Sequence, residues 1–248
     1  MDISLKIQKT AEWIRKKVHE AGANGAVVGV SGGIDSAVVA CLNKIAFPDT
    51  SLGVIIKIKS SDKDMQDALE FTKACGINHI EVTLDKIHFD LLNTVKQNMI
   101  SQGIWNEERM RITDANLRAR LRMSTVYAIA NNMNSLVVGT DNAAELYTGY
   151  FTKYGDGGVD ILPLANLTKH EVYEWAKVLN VTDAILKKAP SADLWEGQTD
   201  ENEMGTKYKY IDALLRGETI PESDLKIIER LHKNSEHKRH TPAEPPIF

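Results

Sequence analysis

The stretch Ala26 to Val39, AVVGVSGGIDSAVV, constrains this chain more than any other. Ala26 to Val30 are small or β-branched apolar residues and predict a buried strand. Ser31, Gly32 and Gly33 turn the chain, and Ile34-Asp35-Ser36 open an apolar, helix-compatible run through Ala40 and Leu42. Strand, glycine turn and helix start together predict a phosphate cradle. Glycines without a Cβ let the backbone bend sharply and approach a ligand. The free N–H groups of the helix's first turn, with its dipole, favour an anion there.

Several motifs compete for these residues. A Walker A loop needs Lys-Ser or Lys-Thr after its second glycine, and no Lys lies between Val27 and Asn43. A dinucleotide fingerprint needs Gly-x-Gly-x-x-Gly, a spacing that Gly25, Gly29, Gly32 and Gly33 do not give. Gly29-Val30-Ser31-Gly32-Gly33 does satisfy the G-x-S-x-G nucleophile elbow. Ser31-Gly32-Gly33-Ile34-Asp35-Ser36 most resembles the pyrophosphate-binding loop of the ATP pyrophosphatases.

Around this loop the periodicity alternates. Helix is predicted near Ile3 to Ala21, strand at Ala26 to Val30, helix from Asp35 to about Ala46, and strand from Ser51 to Lys59. A helix from Asp62 to Cys75 closes at Gly76, and His79 to Thr83 is a short strand. Helices near Leu84 to Met99 and Glu107 to Asn132 precede a fourth strand, Ser135 to Val138. The prediction is an α/β fold: a doubly wound parallel sheet with helices on both faces and a helical C-terminal extension. One domain is expected over residues 1–248, with its core at about 22–150 and the helical part at about 165–248. Ala189 to Gly205, rich in Pro, Ser, Asp, Glu and Gly, is expected to be mobile. Ligands of open parallel sheets bind at strand carboxyl ends where strand order reverses. The loops after the first and fourth strands should therefore face one crevice.

Composition narrows the partners. A net charge of −4 gives no reason to expect nucleic-acid binding. No apolar run approaches the roughly 20 residues needed to cross a bilayer. Cys41 and Cys75 lie in predicted helices without motif spacing, so buried thiols and a cytoplasmic setting are expected.

A carboxylate such as Asp35 beside phosphate makes sense if Mg²⁺ lies between them. If Asp141 starts a helix after the fourth strand, Glu145 shares its face and supplies a second carboxylate. Arg118, Arg120 and Arg122 alternate on a predicted helix and cannot all share a face.

GTDNAAELYTGYFTKYGDGGVDILPLANLTKHEVY is similar, residue by residue, to the central segment of the NAD⁺ synthetases. With the Ser-Gly-Gly loop, LRARLRM, KAPSADL and EHKR, the resemblance covers nearly the whole chain in order. It implies a homodimeric ligase that uses ATP and Mg²⁺ to amidate deamido-NAD⁺ with ammonia, the last step of NAD⁺ formation. The substrate carboxylate would attack the α-phosphate, pyrophosphate would leave, and ammonia would displace AMP from the acyl-adenylate. By matching position, Gly29, Val30, Ser31, Gly32, Gly33, Ile34, Asp35 and Ser36 would hold ATP phosphates, with Thr140, Lys169 and Ser191 as further ATP contacts. Asp35 and Glu145 would bind magnesium, and Arg122, Lys153, Asp160, His237 and Lys238 would contact deamido-NAD⁺. Many relatives carry an Arg near the adenine on the second strand, where this chain offers Lys57 and Lys59, so adenine contacts there stay unassigned. Asp156 in the glycine loop is the candidate base for ammonia. The adenylating domain fills the chain and neither Cys has a His or Glu partner nearby, so ammonia rather than glutamine is the expected nitrogen source. Three other readings stand beside it: a different pyrophosphate-loop ligase, a serine hydrolase using Ser31 with Asp160 and His170 or Asp183 and His232, and a non-catalytic nucleotide-binding module, against which both carboxylates, Lys169 and the loop argue.

Overall fold

The computed structural model describes residues 2–191 and 198–247. Four strands, β1 (Gly25–Gly29), β2 (Ser51–Lys57), β3 (Asn78–Thr83) and β4 (Ser135–Val137), pair in the order β3-β2-β1-β4, all parallel. The helices threaded among them are α1 (Ile3–Glu20), α2 (Ile34–Ala46), α3 (Asp62–Cys75), α4 (Asp85–Ser101) and α5 (Met110–Asn132). After β4 come α6 (Ala143–Thr148), α7 (Lys169–Val178), α8 (Asp183–Leu186), α9 (Asp200–Met204), α10 (Tyr208–Leu215) and α11 (Glu222–Asn234).

The apolar run of β1 is explained by burial on both faces. Ala26, Val28 and Val30 pack with Ile14 of α1, Val38 of α2 and Val172 of α7. Val27 points to the other face, against Val126 and Ala130 of α5. A third cluster, Ala144, Met204, Tyr208, Ile211 and Ile228, joins α6, α9, α10 and α11. This is the doubly wound sheet with a helical extension that the alternation predicts. The chain steps outward from β1 to β2 and β3, then returns to β1's other flank with β4. Strand order therefore reverses between β1 and β4, where a crevice must open.

Local chemistry sets the boundaries. The Ser61 hydroxyl accepts a hydrogen bond from Asp64 N (3.0 Å) to start α3, and Gly76, at φ +70°, ends it. β2 stops at Lys57, two residues short of the expected end, because Lys59 adopts φ +54° and leaves the extended region. The helix expected from Glu107 begins as a 3-10 turn, Glu107–Arg109, before α5. Of the segment expected to be mobile, Asp200–Met204 forms α9, with Thr199 accepting from Asn202 N, while residues 192–197 lie outside the described residues. Cys41 and Cys75 are both free thiols, and their Sγ atoms lie 3.4 Å apart where α2 meets the end of α3. No described helix is long and apolar enough to cross a membrane.

Candidate active site

The crevice at the strand-order reversal is a cavity of about 400 Å³, walled by the loop after β1, the loop after β4, α5, α7 and the segment around Gly155. At its floor the β1 loop is held by its own hydroxyls. Ser36 Oγ donates to the Gly33 carbonyl (2.9 Å) and accepts from Ser31 N (3.2 Å), while Ser31 Oγ accepts from Gly33 N (3.3 Å). Gly32 carries the left-handed conformation (φ +78°), and a Cβ there would lie 2.9 Å from the Asp64 carbonyl oxygen. In a nucleophile elbow the serine itself would be strained. Here the left-handed residue is the glycine after it.

Glu145 reaches the cavity by a different route from the one expected. Asp141 does not start a helix; Asn142 caps α6, accepting from Ala144 N (3.0 Å) and Glu145 N (3.1 Å). Glu145 is the third helical residue and returns its Oε2 to Asn142 N (3.1 Å), so the pair forms a capping box. That back-bonded geometry, not a shared face with Asp141, turns the carboxylate to the site. The same Asn142 donates Nδ2–H to Asp35 Oδ1 (2.9 Å), tying the β4 loop to the start of α2.

Between the two carboxylates sits Lys169 Nζ, 2.6 Å from Asp35 Oδ2 and 3.2 Å from Glu145 Oε1. Lys169 is placed by a second capping box, in which Thr168 Oγ1 accepts from Glu171 N (3.2 Å) and Glu171 Oε2 accepts from Thr168 N (3.0 Å). Burial would strip its proton, but Asp35 and Glu145 outweigh that and hold the Lys169 pKa above its ordinary value. Glu145 is pushed up to about 7 by burial, with Lys169 opposing and Asp35 adding to the rise. The ammonium stays charged because two carboxylates face it. Asp141 is buried beside them, its Oδ2 without a hydrogen-bond partner, and burial with Asp156, Glu145 and Asp35 raises its pKa well above the usual carboxylate range.

Carboxyl groups crowd around the Lys169 ammonium at this end of the cavity, and burial favours the protonated form of Asp141 and Glu145. The oxygens of Asp35 and Glu145 are hard donors, and burial already drives Glu145 toward protonation. A divalent hard cation suits such a set, and magnesium commonly takes one or two carboxylates and completes its shell with phosphate and water.

The other expected residues fall into two groups. Thr140, Ser191, Arg122, Asp156 and Lys238 line the cavity. Arg122 Nη2 donates to Ser60 Oγ (3.3 Å) and the Ile58 carbonyl (3.4 Å). Asp156 Oδ1 accepts from Thr152 N (2.9 Å); it opens to the cavity, yet the surrounding walls suffice for burial to raise its pKa. Lys238 Nζ donates to the carbonyls of Gly149 (2.8 Å) and Phe151 (2.7 Å), and burial lowers its pKa. Lys153, Asp160 and His237 stand outside the cavity wall. Lys153 Nζ donates to the His237 carbonyl and to that of His240 (3.2 Å), so it pins the C-terminal tail to the glycine loop. Asp160 accepts from Tyr127 Oη (2.9 Å) and Val137 N (2.7 Å) and braces β4 against α5. Of the three alternating arginines, Arg118 pairs with Asp114 (2.8 Å), Arg120 donates to the Lys153 carbonyl (3.4 Å), and Arg122 alone lines the cavity. Lys57 and Lys59 are engaged by Asp62 (3.0 Å) and Asp114 (2.6 Å).

Sequence reasoning missed Tyr208 and Asp200. Tyr208 Oη lies 3.1 Å from Glu145 Oε1 and 2.9 Å from Asp200 Oδ2. The residues nominated for a hydrolase triad are committed elsewhere: His232 Nδ1 lies 2.8 Å from the Tyr147 carbonyl oxygen, and Asp183 pairs with Lys187 (2.7 Å).

A glycine turn before a helix start, two partly buried carboxylates and a buried ammonium at the switch point of a parallel sheet define an α/β enzyme that handles a nucleotide's phosphates. The sequence profile of the NAD synthase family matches residues 6–242. The NH(3)-dependent NAD(+) synthetase of Alkaliphilus oremlandii is 61% identical over 246 residues, covering 99% of this chain and 98% of that one. Among solved structures, the NMN synthetase of Francisella tularensis aligns with TM-score 0.91 at 40% identity over the whole of both chains. The NH3-dependent NAD synthetase of Campylobacter jejuni aligns with TM-score 0.79 at 28% identity, over 99% of this chain and 100% of that one. The chain belongs to the NAD synthase family.

Proposed function

We propose that this chain is an ammonia-dependent carbon–nitrogen ligase that converts deamido-NAD⁺ to NAD⁺, with ATP split to AMP and pyrophosphate. The observation that carries the reading is Lys169, a buried ammonium between Asp35 and Glu145 at the mouth of the Ser-Gly-Gly loop. The loop's backbone N–H groups and the start of α2 bind the triphosphate, with the hydroxyls of Thr140 and Ser191 as further contacts on ATP. The nicotinate carboxylate attacks the α-phosphorus, and Lys169 meets the negative charge that grows as pyrophosphate departs. Arg122, at the opposite wall, binds the dinucleotide. Lys153, His237 and Lys238 hold the glycine loop and the tail around it, and Asp160 braces β4 against α5. Asp156 accepts a proton from ammonium, leaving neutral ammonia to attack the acyl-adenylate and release AMP. Asp35 and Glu145 would hold Mg²⁺, which when bound would neutralise charge on the phosphates.

The assembly is a homodimer, and the protein works in the cytoplasm. α4 and the turn after it expose Ile87, Phe89, Leu91, Val95, Ile100 and Ile104, with Phe89 60% and Ile104 63% accessible. Within α4, Ile87, Leu91 and Val95 recur every four residues and share one side, with Phe89 and Ile100 on the other; the Ile87-Leu91-Val95 stripe supports a partner surface, and a second copy is the partner proposed.

One observation favours a second substrate: the likeness to a protein described as an NMN synthetase extends over both whole chains. Nicotinic acid mononucleotide presents the same carboxylate without the second nucleotide. Purified protein with ATP, Mg²⁺ and ammonium, offered each substrate in turn, tests both readings. The proposal expects higher kcat/KM on the dinucleotide, with AMP and pyrophosphate formed in equal amounts. Preference for the mononucleotide would move the substrate reading. ADP and phosphate as products would overturn the reaction class.

A further inference from the structure

Lys169 holds its position on a long, rotamer-rich stem, and ordering such a side chain costs conformational entropy. Its capping box orients the backbone but does not reach the ammonium. α10 touches both ends of the residue. Asp212, 3% exposed, accepts from Lys169 N (3.1 Å) on Oδ1 and from His170 N (3.0 Å) on Oδ2, fastening the first turn of α7 to α10. Tyr208, four residues earlier and on the same face of α10, lies at the far end of the side chain. Its ring centroid is 4.8 Å from Lys169 Nζ, a cation–π distance, and its hydroxyl lies between Glu145 Oε1 (3.1 Å) and Asp200 Oδ2 (2.9 Å).

The backing of this face is rigid. Tyr208 is 5% exposed, and Ile211 and Ile228 are fully buried where α10 meets α11. Burial and the facing carboxylates hold the Tyr208 phenol far above its ordinary pKa, so it remains a donor.

We propose that Tyr208 and Asp212 are positioning residues for the reaction: α10 clamps Lys169 by its backbone and its ammonium, and so sets where the cation meets the departing pyrophosphate. The helical extension is then a working part of the catalytic centre. The inference rests on the reading that Lys169 acts on the nucleotide.

The test compares Tyr208→Phe, Asp212→Asn, Asp212→Ala and Lys169→Met in the full chain, measuring kcat, KM for ATP and thermal midpoint, with rates taken well below the melting range. Tyr208→Phe keeps the ring and loses only the hydroxyl; kcat is expected to fall about tenfold, with KM and midpoint little changed. Asp212→Ala is expected to fall further, and Asp212→Asn to regain part of that loss, because an amide oxygen still accepts one of the two N–H groups. A folded Tyr208→Phe enzyme with unchanged kcat, while Lys169→Met is inactive, overturns the clamp and leaves the reaction reading standing. Full activity in Lys169→Met overturns the reading on which the clamp rests.

Discussion

Lys169→Met removes the buried ammonium that keeps two partly buried carboxylates compatible. At 2.6 and 3.2 Å, the gross attractions to Asp35 and Glu145 are about 6 and about 5 kcal/mol at an effective dielectric of about 20. Desolvation of the ammonium offsets much of this, and breaking a buried pair by removing one partner typically costs ~3–5 kcal/mol. That is a large share of a stability of about 5–15 kcal/mol. With a urea slope of roughly 2–3 kcal/mol per molar, the unfolding midpoint should drop by about 1–2 M at pH 8. Tryptophan fluorescence reports the transition, since Trp175 of α7 is buried in the main core. Adding Glu145→Gln to Lys169→Met removes the repulsion, so the double variant should recover at least about 2 kcal/mol without recovering activity. An unchanged midpoint for Lys169→Met, or strictly additive losses in the double variant, would refute the electrostatic argument.

Gly32→Ala should abolish turnover while leaving a folded protein, because φ +78° and a Cβ at 2.9 Å from the Asp64 carbonyl force the loop to shift; calorimetric titration of ATP checks it. Asp156→Asn should slow amide formation more than pyrophosphate release, and equal loss of both steps would remove Asp156 as the base. His88, buried in α4 with its pKa lowered by burial, binds fewer protons folded than unfolded, so it subtracts stability as pH falls below its unfolded value of about 6.5. The acid-side loss between pH 6.5 and 5 should therefore be shallower in His88→Gln, and identical slopes in urea titrations would contradict this. Chelating divalent cations should stop turnover, and added Mg²⁺ should restore it.

The fold was legible because its signals are local. Alternating apolar runs marked the four strands, and Gly32 and Gly33 marked the turn after β1 that is proposed to bind the phosphates. Boundaries moved where tertiary contacts decided them, as at Lys59, whose backbone N–H binds Asp85 and whose side chain binds Asp114. The carboxylate pair was legible in type, but the route of Glu145 to the site was not. The Asn142-Ala143-Ala144-Glu145 spacing is a capping-box signature and could have shown it. Tyr208 and Asp212 left no such mark, since a Tyr and an Asp four apart read equally well as ordinary helix residues. What gives them a role is α10 packing on α7, a long-range contact that periodicity does not encode. The 3.4 Å approach of Cys41 and Cys75 was hidden for the same reason.

In the proposed reaction the substrate carboxylate is activated by direct attack on the α-phosphorus of ATP. Deamido-NAD⁺ labelled with ¹⁸O in its carboxylate, turned over with ATP and ammonium, tests this in one mass spectrum. Direct attack transfers one labelled oxygen to AMP and leaves the other in the amide. Label in inorganic phosphate, or AMP free of label, would contradict it.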